Sequence, residues 1–207
     1  MAWAATIGAV LGGYLLGSVS FAVLISKVLG LADPRTYGSR NPGATNVLRS
    51  GNRTAAVLTL LGDALKGTAA IWLAHRFGAA YGVDETGLAL TGLAAFVGHL
   101  YPLYFRFKGG KGVATFFGVI AMLDISVGLM AGVAWLLVAY FFRYSSAASL
   151  AAAVVALFGW AFAVGFDAGL ICVAIMVSLL IVRHKQNIVN LRAGRERRIG
   201  EKSAAHR

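Results

Sequence analysis

Apolar residues fill most of this chain in long stretches, and polar residues gather in the gaps between them. Six stretches, Trp3–Ile25, Ala55–Ala74, Thr86–Phe105, Ile125–Phe142, Ala147–Phe166 and Ala168–Val182, approach or reach the roughly 20 residues with which a helix crosses a bilayer core. A seventh, Val113–Leu123, would rise only about 16 Å as helix. It fits either a half-helix inserted beside a loop or a strongly thinned span. No internal repeat and no soluble domain breaks the pattern. The expectation is an all-α polytopic membrane protein of about seven transmembrane helical segments, one membrane-integral domain over residues 1–207.

Composition agrees: 58% hydrophobic residues, 13% charged residues and a mean hydropathy of +0.74 lie outside the soluble globular range. A net charge of +11 would suit a nucleic-acid binder, but the cations sit in the gaps rather than on a soluble face, so no nucleic-acid partner is expected. With seven crossings, one side collects Lys27, Arg35, Arg40, Arg49, Arg53, Arg106, Lys108, Lys111, Arg143, Arg183, Lys185 and the Arg192–Arg207 tail. The other receives Arg76, Asp84, Glu85, Asp124 and Asp167. Lysine and arginine resist translocation, so the basic loops and the C-terminus are expected in the cytoplasm and the N-terminus outside. The opening "MAWAATIGAV" lacks a cationic n-region and reads as an uncleaved anchor. Cys172, alone in an apolar span, reads as a small core residue.

Three polar clusters fall on the basic side. The first, "YGSRNPGATNVLRSGN" from Tyr37 to Asn52, is rich in glycine and asparagine, which tolerate positive φ and let several backbone N–H groups share an anion-binding concavity. Gly43 and Asn46 are candidate positions there, while Ser39 adds a hydroxyl and Arg49 a planar guanidinium matched to phosphate oxygens. An ordinary turn carrying positive-inside arginines is the alternative. The second, "FRFKGGKGVATFFG", sets Lys108 and Lys111 among Gly109, Gly110 and Gly112. That composition admits close approach of an anion to backbone, and "VATFF" reads as a helix start that would present its N-terminus. It is not a nucleotide loop of the G-x-x-x-x-G-K-[ST] kind, because Gly112 follows the lysine. A stop-transfer loop with snorkelling lysines is the alternative.

In the third, "RHKQNIVNLRAGRE", a continued last helix would place His184, Asn187 and Leu191 on one face. His184 could equally be an interfacial residue. His99, three residues before Pro102, reads as a partner for backbone freed by that proline, and His75 and His206 carry no signal. Within a span, Asp63 and Lys66 stand at i, i+3, where intramembrane charge must be paired or face a polar cavity. They are candidate substrate contacts or a structural ion pair.

A phosphate-binding site at the mouth of a helix bundle suits two classes: an enzyme joining a phosphorylated substrate to a lipid, or a membrane transporter for a phosphorylated metabolite such as glycerol 3-phosphate. No paired broken helices from internal repeats, the usual mark of a transporter, are visible. None of the four histidines has an aspartate five places on, so the His-x4-Asp of soluble-face acyltransferases is absent.

The segments "GSRNPGATNVLR", "HLYPLYFRFKGGKGVAT" and "RHKQNIVNLRAGRE" resemble, in order and separation, the three cytoplasmic motifs of the bacterial acyl-phosphate:glycerol-3-phosphate acyltransferases, a likeness that covers most of the chain. Two departures are Arg40, where that family usually has glycine, and Asn190, where a basic residue is common. The resemblance implies transfer of a fatty acyl group from acyl phosphate to the 1-hydroxyl of sn-glycerol 3-phosphate, giving lysophosphatidic acid and phosphate, the first acylation of phospholipid biosynthesis. It implies an active site on the cytoplasmic face of the inner membrane, no cofactor or metal, and a functional link to an enzyme that makes acyl phosphate. Ser39, Arg49, Lys111, His184 and Asn187 take the catalytic places, the second-motif glycines the substrate places, and Glu196 a structural one. Two routes stay open: a Ser39 acyl-enzyme with His184 as base, or direct attack with a substrate phosphate accepting the proton, which is favoured.

Overall fold

A computed structural model describes residues 2–201; the end of the basic tail, with His206, lies outside them. All of its regular elements are helical: α1 Ala2–Gly17, α2 Phe21–Val28, α3 Ala44–Leu48, α4 Arg53–Gly78, α5 Glu85–Leu100, α6 Val113–Leu123, α7 Ile125–Phe142, α8 Ser145–Ala163, α9 Ala168–Arg183 and α10 Lys185–Arg192. Four helices, one of them α5 taken with the turn after it, are long and apolar enough to cross a membrane, or up to six crossings if α1–α2 and α9–α10 each count as one bent span.

Short polar residues set where these helices begin. Side-chain oxygens of Asn52, Asp84, Asp124 and Asp167 accept from the backbone N–H groups of Ala55, Gly87, Val127 and Leu170, so α4, α5, α7 and α9 are each capped by an asparagine or aspartate. Three of the few acids in the chain therefore serve as helix caps rather than as ion-pair partners.

Two expected spans are interrupted. Trp3–Ile25 is divided at Ser18–Ser20, where α2 departs from α1 by 43° and Ser20 caps α2 through the Val23 N–H. Thr86–Phe105 is helical only to Leu100, because Pro102 has no N–H to continue it and Leu103–Phe105 forms a single tight turn. The last helix also fails to continue through His184: α10 leaves α9 at 57°, with His184 as the joint.

Small residues let the backbones meet. A Cβ on Gly13 or Gly17 of α1 would strike the carbonyls of Thr91 or Ala95 in α5, and one on Gly98 would strike that of Tyr14, so α1 and α5 run parallel in close contact. On α4, Gly67 meets Thr115, and Ala64 with Thr68 meets Gly118, which lays α6 alongside α4 in the same direction. The single residue Asp124 then reverses the chain, bringing Gly128 of α7 back against Ala121 of α6. Phe96, Phe116, Val119, Ile120, Met176 and Leu180 fill the centre between α5, α6 and α9. By contrast Phe162 and Phe166 are each 91% exposed and much of α7 bears apolar residues outward, as a lipid-facing surface does.

This packing fixes the depth of the α5–α6 loop. The end of α5 and the start of α6 both meet α4 at Asp63, about 15 Å along the axis from Arg53. The glycine-rich end of that loop, with Gly110 and Gly112 buried, is thus set inward of the basic end of the bundle, while Leu103, Tyr104 and Phe107 are exposed.

Candidate active site

Asn46 organises the first polar segment. Buried at the start of α3, it donates from Nδ2 to the carbonyls of Pro34 (2.7 Å) and Tyr37 (3.2 Å), and its Oδ1 accepts from the Ser39 N–H at 2.9 Å and from Arg49 at 3.5 Å. The amide is thereby occupied by its own loop, holding Ser39 and Arg49 at one edge with Ser39 exposed. Gly43 precedes α3 in extended backbone. Arg40 adopts φ 55°, the left-handed region that suits the glycine usual at this place in the resembled family and costs another residue roughly 1–2 kcal/mol.

The glycine-rich loop is pressed onto α5. A Cβ on Gly109 would collide with the His99 carbonyl, one on Gly110 with the His99 ring, and one on Gly112, at φ 82°, with Phe96 and Leu100. The Gly110 N–H donates to the His99 carbonyl at 3.1 Å, so this amide is engaged within the fold. Gly112 also caps α6, which begins at Val113 as the sequence suggests. Lys108 remains exposed, while Lys111 turns inward and donates from Nζ to Asn187 Oδ1 at 2.5 Å.

Beneath the loop lies a buried polar cluster. Lys66 Nζ pairs with Asp63 at 2.9 Å and donates to the Val19 carbonyl at 2.6 Å, in the break between α1 and α2. Asp63 thus meets Lys66 and, through its backbone carbonyl, the Thr115 hydroxyl at 2.8 Å. The Thr115 hydroxyl is 3.1 Å from His99 Nδ1, which is 3.7 Å from the Asp63 carboxylate. His99 therefore partners side chains of α4 and α6 rather than backbone freed by Pro102. A void of about 10 Å³, room for one water, is lined by Val19, Arg35, Lys66, His99 and Gly110.

The third segment closes the site from the other side. His184 is buried, and because the Leu180 carbonyl can only accept, the 2.8 Å contact fixes the proton on Nδ1 and leaves Nε2 as the free ring nitrogen. Asn187 stands between two charges: Oδ1 accepts from Lys111 and Nδ2 donates to Glu196 at 2.7 Å. Ser146 at the start of α8 also donates to Glu196 at 2.7 Å, so Glu196 anchors Asn187 to a second helix.

Three participants were not singled out by their sequence pattern. Arg183, counted there as one more basic-loop charge, donates to the Gly109 carbonyl at 2.7 Å and the Gly110 carbonyl at 3.1 Å and lies 5.6 Å over the Tyr101 ring. Thr115 and Ser146 look like unremarkable helix residues. Their partners are 73, 52 and 50 positions away for Arg183–Gly110, Thr115–Asp63 and Ser146–Glu196, and short-range spacing carries no trace of such pairs.

The site is strongly cationic. Burial pushes Lys111 down to about 8; Glu196 opposes the shift, and Arg49 and Arg183 add to it. Burial also lowers Arg49, with Arg197 reinforcing and Glu196 opposing. Arg49, Arg183 and Glu196 thus all lie near enough to act on the Lys111 charge, and the excess of positive charge is one that a bound dianion would relieve.

Comparison with known proteins shows the family. Residues 7–194 match the family model described as glycerol-3-phosphate acyltransferase. Proteins named glycerol-3-phosphate acyltransferase from Cupriavidus necator (58% identical over 93% of this chain and 95% of the relative) and Ralstonia pickettii (57%, covering 97% of each) align almost end to end. The fold superposes on crystal structures of PlsY (YgiH), an integral membrane glycerol 3-phosphate acyltransferase. Its glycerol 3-phosphate form gives a TM-score of 0.87 at 39% identity, over 94% of this chain and 96% of that one. Its lysophosphatidic acid form gives 0.85 at 38%, over 94% and 95%. The chain belongs to the glycerol-3-phosphate acyltransferase family and is an integral membrane protein.

Proposed function

We propose that this protein transfers a fatty acyl group from acyl phosphate to the 1-hydroxyl of sn-glycerol 3-phosphate, releasing lysophosphatidic acid and phosphate. The observation that supports this reading is the half-buried Lys111, held by Asn187 and Glu196 with Arg49 and Arg183 close enough to act on its charge. Both proposed substrates bear phosphate, and the family's substrate, glycerol 3-phosphate, is one of them. Lys111 supplies a point charge and Arg49 a planar fork.

An acyl phosphate is a mixed anhydride with a good leaving group, so positioning and oxyanion stabilisation dominate the barrier. In the proposed step the glycerol hydroxyl attacks the acyl carbonyl, the C–O bond to phosphate breaks, and the departing or acceptor phosphate takes the hydroxyl proton. Ser39, Arg49 and Lys111 hold the phosphates, and Asn187, braced by Glu196 and Ser146, aims Lys111. His184 Nε2 faces the substrate as an acceptor that orients the hydroxyl. No hydrogen bond joins Ser39 to His184 among the described residues, which favours direct transfer over an acyl-Ser39 intermediate.

The charge distribution supports a single membrane domain with seven crossings, α6 being the short one. The N-terminus is then outside and the site opens to the cytoplasm from the bacterial inner membrane. The deciding assay offers purified protein labelled glycerol 3-phosphate with acyl phosphate, acyl-CoA or acyl-carrier protein. Lysophosphatidic acid should form with acyl phosphate alone; robust turnover with acyl-CoA contradicts the proposal.

A further inference from the structure

Gly110 rests on His99 in two ways. Its N–H donates to the His99 carbonyl at 3.1 Å, and its α-carbon sits where any side chain would strike Nε2 of the His99 ring. Lys111 is the next residue, its ammonium fixed on Asn187. Where the His99 ring lies therefore sets where the glycine-rich loop and Lys111 lie, and the ring is itself held from its far edge.

At that edge Nδ1 stands 3.1 Å from the Thr115 hydroxyl of α6. The hydroxyl has one proton, and it goes to the Asp63 carbonyl, which can only accept, at 2.8 Å. The contact with His99 is then a hydrogen bond only when Nδ1 carries a proton and donates it, an arrangement that the Asp63 carboxylate 3.7 Å away also favours. The tautomer follows: Nδ1–H faces α4 and α6, and Nε2 faces Gly110. Both supports are anchored in turn. The carbonyl and methyl of Thr115 lie against Gly67 of α4, and Lys66 holds the Asp63 carboxylate at 2.9 Å while donating to the Val19 carbonyl at 2.6 Å. Asp63, Lys66, His99 and Thr115 are all buried, and the void beside Lys66 and His99 has room for one water but not for a phosphate.

We propose that Thr115 is a positioning residue for the transfer: its hydroxyl holds the His99 ring in the one place that seats Gly110 and keeps Lys111 on the substrate phosphate. The proposal rests on the reading above in which Lys111 binds phosphate. Without that hydroxyl the Nδ1 proton turns to the Asp63 carboxylate, and closing 3.7 Å to a hydrogen bond of about 2.9 Å draws the ring about 0.8 Å toward α4. Misplacement by about 1 Å costs on the order of 10²-fold even when it starts far from the chemistry.

The test measures kcat and the KM for glycerol 3-phosphate with palmitoyl phosphate as donor, together with the Tm shift produced by glycerol 3-phosphate alone, for wild type, Thr115→Val, Thr115→Ser and Thr91→Val. Valine keeps the shape of threonine without the hydroxyl, and serine keeps the hydroxyl. Thr91, buried in α5 with its hydroxyl on the Gly87 carbonyl of its own helix, controls for the loss of a buried hydroxyl as such. Thr115→Val should lower kcat/KM by about tenfold or more, chiefly through KM, and shrink the Tm shift, while Thr115→Ser and Thr91→Val stay close to wild type. A wild-type KM in Thr115→Val overturns the proposal. Equal impairment of Thr115→Ser or of Thr91→Val also overturns it, since the loss then follows packing or burial rather than this hydroxyl. If Thr115→Val does not fold, Thr115→Ala removes the same acceptor within a smaller volume and is read against the same outcomes. Absence of turnover by wild type contradicts the acyl-transfer reading instead, and the Tm shifts, which need no catalysis, then decide the role of Thr115.

Discussion

Lys111 combines a buried ammonium, a fixed partner in Asn187 and two neighbouring arginines. Its pKa is brought down to about 8, so below that pH it carries the charge that phosphate needs, and above it the charge is lost. KM for glycerol 3-phosphate should therefore be flat from neutrality to about pH 8 and then rise, approaching tenfold per further unit. Steady-state kinetics across that range check this; a KM that stays flat well beyond pH 8 would remove Lys111 from phosphate binding. Ser39, Arg49, Lys111, His184 and Asn187 were named through the resemblance of their three segments to a family's motifs, since residue spacing alone left an ordinary turn, a stop-transfer loop and an interfacial histidine as alternatives. What the spacing lacked was the partners. Asn46 appeared as a substrate position, whereas every polar atom of its amide serves the loop, and Arg183 was invisible among positive-inside charges until its two carbonyl acceptors were known.

At the scale of elements, the glycine-rich loop changes meaning most. Its glycines suit the approach of an anion, yet each also lets the loop lie against α5: Gly109 and Gly110 on His99, Gly112 on Phe96 and Leu100. Gly110→Ala should accordingly push the loop off His99, lowering Tm by several degrees and kcat/KM by at least about tenfold, because Lys111 moves with it. Thermal unfolding in detergent together with kinetics tests this; a variant with native Tm and only a raised KM would make the glycine a substrate contact alone. The apolar runs placed the starts of α4, α5, α7 and α9 to within two residues, and the asparagine and aspartate caps just before them explain why they begin there. Helix interruptions were not legible. Hydropathy continues unbroken through Ser18–Ser20, and nothing apolar or polar in "VRHKQN" announces the 57° joint at His184, which arises from how α10 meets α8 and the Glu196 anchor.

For the whole molecule, the basic end and the glycine-rich loop lie on the same side, and Asp84, Asp124 and Asp167 cap helices from the opposite side. If that basic end faces the cytoplasm, Ala80→Cys should be labelled by an impermeant maleimide in intact cells and Ala193→Cys only after permeabilisation, both on a Cys172→Ala background. The reverse pattern would place the site away from cytoplasmic glycerol 3-phosphate. Direct transfer is tested most sharply by the release of inorganic phosphate from acyl phosphate on purified protein, with and without glycerol 3-phosphate. The expected result is no phosphate burst and no acylated Ser39 without the acceptor, then one lysophosphatidic acid formed for each phosphate released once it is added. A stoichiometric burst leaving an acyl-Ser39 adduct that chases into product would contradict it.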